Sequence, residues 1–264
     1  MFNDRFVKPV ERWVKKLRRP LERKRYDREM NAYRDRGLHV VHFLHVRKAG
    51  GSAVKSALDG ISFEEQGVHF ELHPHRFSLR DVPAGDKVFF FMRDPLTRFV
   101  SGFWSRYRMG RPKNDIPWNW HEAQAFAAFK TPNELALALS SDDPGVRAKA
   151  QQAMWGICHV SSTYADWLIS EEYLRSRAGD VLIAGRMESL NSDFERMKTL
   201  LELGDEVSLP NDNVKSHRSP GGEDKTLSDE AAANIREWYV QDYRFIQLCD
   251  ELGFFVEPEL RLAP

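Results

Sequence analysis

The chain has 264 residues, of which 42% are hydrophobic and 30% are charged, with 39 basic and 39 acidic side chains. This balance is typical of a globular protein with a sizeable core, and it excludes a disordered, collagenous or coiled-coil chain. Because the charges balance, the composition as a whole does not indicate a polyanionic partner.

Basic residues are concentrated at the N-terminus, where residues 1–36 hold 13 Lys and Arg against six Asp and Glu. Within residues 1–20, apolar side chains recur every three or four positions between basic ones, which predicts an amphipathic helix interrupted at Pro20. Such a helix either docks on an anionic membrane surface or packs on the domain with its basic face in solvent. We therefore divide the chain into a basic N-terminal segment, 1–37, and a single domain, 38–264.

Strands and helices alternate through the predicted domain. Apolar, β-branched and aromatic runs predict buried strands at 38–46, 67–73, 87–92 and 181–184. Helical patterns occur at 52–58, after Asp94, through much of 119–178, and at 192–203 and 228–252. This order predicts an α/β fold, with a P-loop-like parallel sheet flanked by helices on both faces and a helical middle insertion. Such sheets bind ligands at the carboxyl ends of their strands.

The loop after the first strand reads His45-Val-Arg-Lys-Ala-Gly-Gly-Ser52 and opens a helix. Its glycines allow successive N–H groups to face an anion, and the helix N-terminus adds partial positive charge. The loop therefore indicates a phosphate site, with a tight turn that binds nothing as the alternative. It is not a Walker A motif, because Lys48 precedes both glycines instead of following the second. This order argues against a kinase or a nucleoside triphosphatase.

A second motif follows the third strand and reads Arg93-Asp-Pro-Leu-Thr-Arg-Phe-Val-Ser101. The planar fork of Arg93 and the hydroxyl of Ser101, about two helical turns further on, suit a phosphate group. In the alternative interpretation, Arg93 only fixes the end of a helix. Asp94 and Pro95 are accounted for by helix capping.

The two motifs, in this order and about 45 residues apart, resemble those of sulfotransferases that use 3′-phosphoadenosine 5′-phosphosulfate (PAPS). Lys48-Ala-Gly-Gly-Ser52 is similar to their 5′-phosphosulfate loop, and Arg93-Asp-Pro-x-x-Arg-Phe-x-Ser101 to their 3′-phosphate motif. The likeness is nearest to the uronyl 2-O-sulfotransferase-like group of the carbohydrate (glycan) branch. It implies in-line sulfuryl transfer to a hydroxyl of a carbohydrate or glycolipid, without a metal, leaving adenosine 3′,5′-bisphosphate (PAP).

The resemblance implies a donor site built from both motifs and a late basic loop: Arg47, Lys48, Ala49, Gly50, Gly51, Ser52, Ala53, Arg93, Ser101, Lys215, His217 and Arg218. Lys48 is also expected to be catalytic, stabilising charge on the bridging oxygen. Arg47 replaces a usual proline, which loosens the loop or adds an anion contact. Ala53 replaces a usual hydroxyl residue, which removes one hydrogen bond to the 5′-phosphate. For the late basic loop, simple solvation is an equal alternative.

A histidine pair, His73-Pro-His75, follows the second strand. Sulfuryl transfer to an alcohol needs a base for the hydroxyl proton, and histidine suits that role at neutral pH. In the uronyl 2-O-sulfotransferase group a similar segment supplies the base, and its second histidine aligns with His75. His73, Glu71 and Glu65 are the alternatives for the base. His73 and His159 are also candidates for acceptor binding, although His159 is better explained as a core histidine.

Location and partners follow from what the sequence lacks. No apolar run reaches the roughly 18 residues that span a bilayer, and no apolar N-terminal region ends in a cleavage site. Cys158 and Cys249 predict neither a disulfide framework nor a zinc site. We expect a cytoplasmic enzyme without a nucleic-acid partner, with residues 1–20 as a peripheral contact to the inner face of the membrane. The alternatives are a small-molecule P-loop kinase and a non-catalytic nucleotide-binding module.

Overall fold

Four parallel strands form one sheet in the part of the chain that the structure, a computed structural model, describes: residues 24–210 and 222–255. The strands are β1 (His39–Leu44), β2 (Val68–Leu72), β3 (Lys87–Met92) and β4 (Val181–Arg186), in the spatial order β2-β1-β3-β4. All three pairings are parallel. The predicted α/β class and the four predicted strands are confirmed.

Helices cover both faces of the sheet, which explains why its strands are almost uninterrupted apolar runs. In β3, Phe89 and Phe91 point to one face and pack with α2 (Gly51–Leu58) and α9 (Leu190–Leu200). Phe90 and Met92 point to the other face, toward α7 (Ala165–Leu168), α8 (Glu171–Ser176) and α11 (Val240–Glu251). The prediction of a doubly covered sheet is therefore confirmed.

A second, all-helical core lies beside the sheet, as the predicted middle insertion requires. It is built from α3 (Pro95–Tyr107), α4 (Trp120–Ala128), α5 (Pro132–Ala138), α6 (Pro144–Gly156) and α10 (Asp229–Trp238). All five of these helices begin at side-chain caps that satisfy free N–H groups of the first turn, namely Asp94, Asn119, Thr131, Asp143 and Ser228. The insertion packs against α3, and it therefore lies close to the edge of the sheet where α3 begins.

The C-terminal helical stretch differs from its prediction. A single helix over 228–252 was expected, but the chain leaves the helical conformation at Tyr239, between α10 and α11. The Tyr239 ring is buried, and its hydroxyl donates a hydrogen bond to the carbonyl of Val160 at 2.5 Å. The break lets α10 pack on the helical core while α11 packs on the sheet. The predicted start is confirmed, because Ser228 Oγ accepts a hydrogen bond from Ala231 N–H at 3.2 Å.

Part of the predicted N-terminal segment is bound to the sheet. Residues 24–35 are helical (α1), and Met30 on this helix is buried. The Tyr33 ring stacks on His69 of β2 at 3.5 Å between ring centroids. The predicted amphipathic helix in residues 1–20 lies outside the described residues. Within the described ranges, none of the helices has the length and apolar character needed to cross a membrane.

A buried ion pair joins α3 to α11. Arg98 and Asp242 are 1% and 0% exposed, and the guanidinium of Arg98 donates directly to the Asp242 carboxylate. Arg98 also donates to the carbonyl of Ser162 at 2.8 Å, and Asp242 accepts from the N–H of Tyr164 at 2.8 Å. Each charge thus has a second hydrogen-bond partner, as a buried ion requires. The pair fixes the segment 162–164 between the two helices.

Replacing Asp242→Asn tests this pair. The substitution leaves the Arg98 charge buried without a carboxylate, so we expect the free energy of unfolding to fall by about 3–5 kcal/mol. The matched control is Glu251→Gln on the same helix, which breaks the exposed pair with Arg175 and should cost less than about 1 kcal/mol. Urea denaturation measures both variants. Similar losses in the two would contradict the role given to the buried pair.

Candidate active site

The loop after β1 has the backbone conformation of an anion cradle. Lys48 adopts a positive φ of 63° and Gly50 one of 82°. A non-glycine residue with positive φ is uncommon and is typical of functional sites that store backbone strain. Alternation of left-handed and right-handed residues turns successive N–H groups to one side. In the described part of the chain, the N–H groups of Gly50, Gly51 and Ser52 have no hydrogen-bond partner.

Each glycine of the pair is required for a separate steric reason. Gly50 has positive φ, and a Cβ there would lie 2.7 Å from the sulfur of Met187. A Cβ on Gly51 would lie 2.3 Å from Cδ2 of His45, because the imidazole packs directly on the glycine backbone. Helix α2 therefore begins against His45 and leaves its first N–H groups open to the carboxyl edge of the sheet.

The second motif meets the first at the end of β3. Arg93 donates from Nε to Thr97 Oγ1 at 3.0 Å and from Nη1 to the Lys48 carbonyl at 3.4 Å. Its backbone is held by the Tyr164 hydroxyl, which accepts from the Arg93 N–H at 2.9 Å and donates to the Arg93 carbonyl. Asp94 caps α3 by accepting from Thr97 N–H at 2.9 Å. The two motifs, distant in sequence, thus form one site.

A cavity of about 300 Å³ lies where the motifs meet. Most of the predicted site residues line it: Arg47, Lys48, Gly50, Gly51, Ser52, His75, Arg93, Ser101 and His159. The sequence analysis missed other residues of the lining, including Ser105, Arg106, Asn114 and Ile116. Ser105 follows Ser101 by four residues on α3, so helical spacing could have found it. Asn114 and Ile116 lie in an irregular loop, where no periodicity indicates which residues face the cavity.

Three cationic residues of the cavity take part in none of the ion pairs formed among residues 24–210 and 222–255: Arg47, Lys48 and Arg93. Arg106, which also lines the cavity, is instead neutralised by Glu122, with hydrogen bonds of 2.6 and 2.7 Å. Burial lowers the pKa of Lys48 to about 8, with smaller effects from Arg93 and Arg108. These half-buried positive charges have no ion-pair partner among the described residues, and an anionic ligand in the cavity would stabilise them.

His75 is held in one orientation and one tautomer. Its Nδ1 lies 2.7 Å from the carbonyl of His45, which can only accept, so Nδ1 carries the proton and Nε2 is a bare acceptor. Trp167 Nε1 donates to the His75 carbonyl at 2.9 Å and holds the backbone. Burial lowers the pKa of His75, as do the nearby charges of Arg47 and Lys48, while the hydrogen bond to His45 opposes them. At pH 7 the imidazole is therefore neutral and can accept a proton.

The other two predicted histidines occupy different environments. His159 lines the cavity, and its Nδ1 is buried without a hydrogen-bond partner among the described residues. Burial lowers the pKa of His159 to about 2, aided by Lys48 and Arg47, so the ring is neutral. His73 does not line the cavity. It is buried, and its Nε2 lies 2.9 Å from Nδ1 of His42.

The remaining predicted residues lie outside this cavity. Ala49 is fully buried, and Ala53 lines a neighbouring cavity of about 580 Å³ between the start of α9 and residues 208–210. Glu71 lies 2.9 Å from His69 on the exposed side of β2. Glu65 lies in a 3₁₀ turn before β2, away from the carboxyl edge. Lys215, His217 and Arg218 fall outside the described residues.

Comparison of the sequence with models of known protein families and with curated proteins finds no match. The resemblance of the two motifs to PAPS-dependent sulfotransferases therefore stays a prediction. What supports a function is the geometry of the cavity, the charges that line it and the chemistry of its side chains.

The depressed pKa of Lys48 predicts how anion binding depends on pH. The ammonium form binds an anion, so affinity should be constant below pH 7.5 and fall as Lys48 loses its proton above pH 8. We expect PAP, whose phosphates are fully ionised there, to bind about tenfold more weakly at pH 9 than at pH 7. Isothermal titration calorimetry measures the affinity. In the control variant Lys48→Arg the decrease should disappear, and an equal decrease in both proteins would contradict the assignment.

Proposed function

We propose that this protein is a PAPS-dependent sulfotransferase that moves a sulfuryl group to a hydroxyl of a carbohydrate or glycolipid. One observation carries the proposal. A single cavity contains three cations outside any described ion pair, the open N–H groups at the start of α2, and a neutral histidine with a bare Nε2. Anion binding and proton acceptance are the two capacities that sulfuryl transfer to an alcohol requires.

The donor would be held at its two anionic groups. Lys48, Ser52 and the N–H groups of the glycine pair are placed to hold the 5′-phosphosulfate. Arg93 and Ser101 are placed to hold the 3′-phosphate, which distinguishes PAPS from ADP and ATP. The cavity beside Ala53 offers space for the nucleoside of the donor, and the alanine side chain is compatible with the apolar face of a nucleobase.

Arg47, which replaces the usual proline of the family, is an additional donor contact in this proposal. Its Nη1 donates to Ser162 Oγ at 2.9 Å, and that serine lies in the segment held by Arg98. The side chain is thus fixed at the cavity instead of loosening the loop. Of the two effects expected for this replacement, the added anion contact is the one that this geometry favours.

His75 and Lys48 perform the chemical step. Nε2 of His75 takes the acceptor proton as the new O–S bond forms, and the Nδ1–H bond to His45 stabilises the imidazolium. Lys48 stabilises the negative charge that collects on the bridging oxygen as its bond to sulfur breaks. Ser105, Asn114 and His159 are uncharged residues that also line the cavity, and such polar side chains suit a hydroxyl-bearing acceptor. We place the enzyme in the cytoplasm, with residues 1–20 as a contact to the membrane surface.

Donor specificity is the first test. PAP should raise the melting temperature because a ligand that binds only the folded state stabilises it, by about 2.7 kcal/mol at 100 times its Kd. ADP and ATP, which lack the 3′-phosphate, should give smaller shifts, and Arg93→Ala should remove the preference for PAP. A larger shift with ATP would favour the kinase alternative. A shift with PAP but no transfer to a panel of oligosaccharides and glycolipids would favour the non-catalytic binding module.

Turnover separates the two catalytic residues. With radiolabelled PAPS and an acceptor from that panel, His75→Ala should lower kcat by about 10²–10⁴-fold while PAP affinity stays unchanged. Lys48→Ala should lower kcat by a similar or larger factor and weaken PAP binding as well. The control is His69→Ala, a partly exposed histidine of β2 that lies outside the cavity. Near-normal turnover in either active-site variant would refute the mechanism.

A further inference from the structure

A buried chain of hydrogen bonds connects α1 to the segment that carries His75. Arg34 of α1 donates two hydrogen bonds to the carboxylate of Asp86, from Nε to Oδ1 at 2.9 Å and from Nη2 to Oδ2. Oδ2 of Asp86 lies 2.9 Å from Nε2 of His42 on β1. Nδ1 of His42 lies 2.9 Å from Nε2 of His73 and 3.3 Å from the Tyr26 hydroxyl. His42 is fully buried, and the Asp86 side chain is 10% exposed.

The direction of these hydrogen bonds follows from their partners. Burial by itself would raise the pKa of Asp86, but the hydrogen bonds from His42 and Arg34 outweigh it and keep the carboxylate ionised. An ionised carboxylate only accepts, so His42 carries its proton on Nε2. Burial lowers the pKa of His73 to about 3, so that ring is neutral. His42 therefore donates to Asp86, and Nδ1 of His42 and Nε2 of His73 share one proton in the hydrogen bond between the two rings.

The end of this chain holds a short loop around His75. The His73 ring stacks on Phe77 with 3.4 Å between ring centroids and 3° between planes. The Phe77 N–H donates to the Pro74 carbonyl at 3.0 Å, which closes a turn. His75 lies within that turn, between His73 and Phe77 in sequence. A rotation of the His73 ring would therefore move Phe77 and displace the imidazole of His75.

An apolar cluster could fill the same space at no loss of stability, because buried polar groups contribute little net stability even when paired. Hydrogen bonds differ from apolar contacts in that they permit only one ring orientation. A general base must be held to within about 0.5 Å of its productive position. The network therefore suits a positioning role better than a purely stabilising one.

We propose that Asp86, His42 and His73 are positioning residues that hold residues 73–77 so that Nε2 of His75 faces the cavity. The proposal rests on the proposed function only for the role of His75 as a base. It gives His73 a place outside the acceptor site, and it makes α1 part of the catalytic domain through Arg34. The orientation of His75 is a property of the free protein and can be measured without any substrate.

Two substitutions of one residue provide the central test. His73→Phe keeps a ring that can stack on Phe77 but removes the nitrogen that hydrogen-bonds to His42, whereas His73→Gln keeps an amide that can make this hydrogen bond. We expect kcat of His73→Phe to fall on the order of tenfold to a hundredfold, with KM for PAPS unchanged. His73→Gln should recover most of the turnover, and the control His69→Gln should match the wild type. Equal loss in both His73 variants would make His73 itself catalytic and overturn the proposal.

A second variant guards against a folding defect in His73→Phe. Asp86→Ala lies in the loop before β3 and removes the acceptor that sets the His42 tautomer. Its melting temperature is measured first, and kcat is then compared at equal folded fraction. We expect kcat to fall with KM for PAPS unchanged. A normal kcat in the folded variant would show that the chain serves stability alone.

Histidine NMR gives a measurement that does not depend on sulfuryl transfer. In the wild type, ¹⁵N shifts should show His75 protonated at Nδ1 and His42 protonated at Nε2. In His73→Phe, His75 should show mixed tautomers and a pKa nearer that of a free histidine, and His73→Gln should restore the wild-type spectrum. Unchanged His75 signals in His73→Phe would refute the positioning role. If PAP fails to bind and the NMR result holds, only the proposed function is lost.

Discussion

The parallel pairing of β1, β2 and β3 is the constraint on which the site depends. Parallel strands end at the same edge, so the residues that follow them are brought together regardless of their separation in sequence. Lys48 follows β1, His75 follows β2, and Arg93 is the first residue after β3. The cations of the cavity follow β1 and β3 and the candidate base follows β2, and hydrogen bonds from Arg93 to the Lys48 carbonyl and from His75 to the His45 carbonyl join the three segments.

The arginines near the cavity differ in whether they form an ion pair with a carboxylate. Arg98 and Arg106 are buried and each is held by a carboxylate, of Asp242 and Glu122 respectively. Arg93 has no such partner among the described residues, and its guanidinium faces the cavity. The buried pair nevertheless serves the site. Asp242 holds the Tyr164 N–H, and the Tyr164 hydroxyl holds the backbone of Arg93 on both sides. Structural stability and ligand binding are thus linked through one tyrosine.

His42 and His45, one in β1 and the other just after it, make contacts on opposite sides of the sheet. The His45 carbonyl fixes the tautomer of His75, and the His45 ring packs on Gly51, so one residue shapes both the base and the anion cradle. His42, three residues earlier on β1, faces the opposite side of the sheet and holds His73. The same short run of sequence therefore supports the loop after β1 and the candidate base from two sides of the sheet.

The α/β class, the strands and the two motifs that line the cavity follow from the sequence alone, because apolar runs, capping residues and glycine pairs act over a few neighbouring positions. The sequence predicted His75, Arg93 and Lys48 as site residues from local pattern and resemblance. Three features appear only in the folded chain: His73 is buried against His42, Tyr239 divides the last helical stretch, and some arginines have no carboxylate partner among the described residues. These features depend on contacts between residues distant along the chain, for which no local pattern exists.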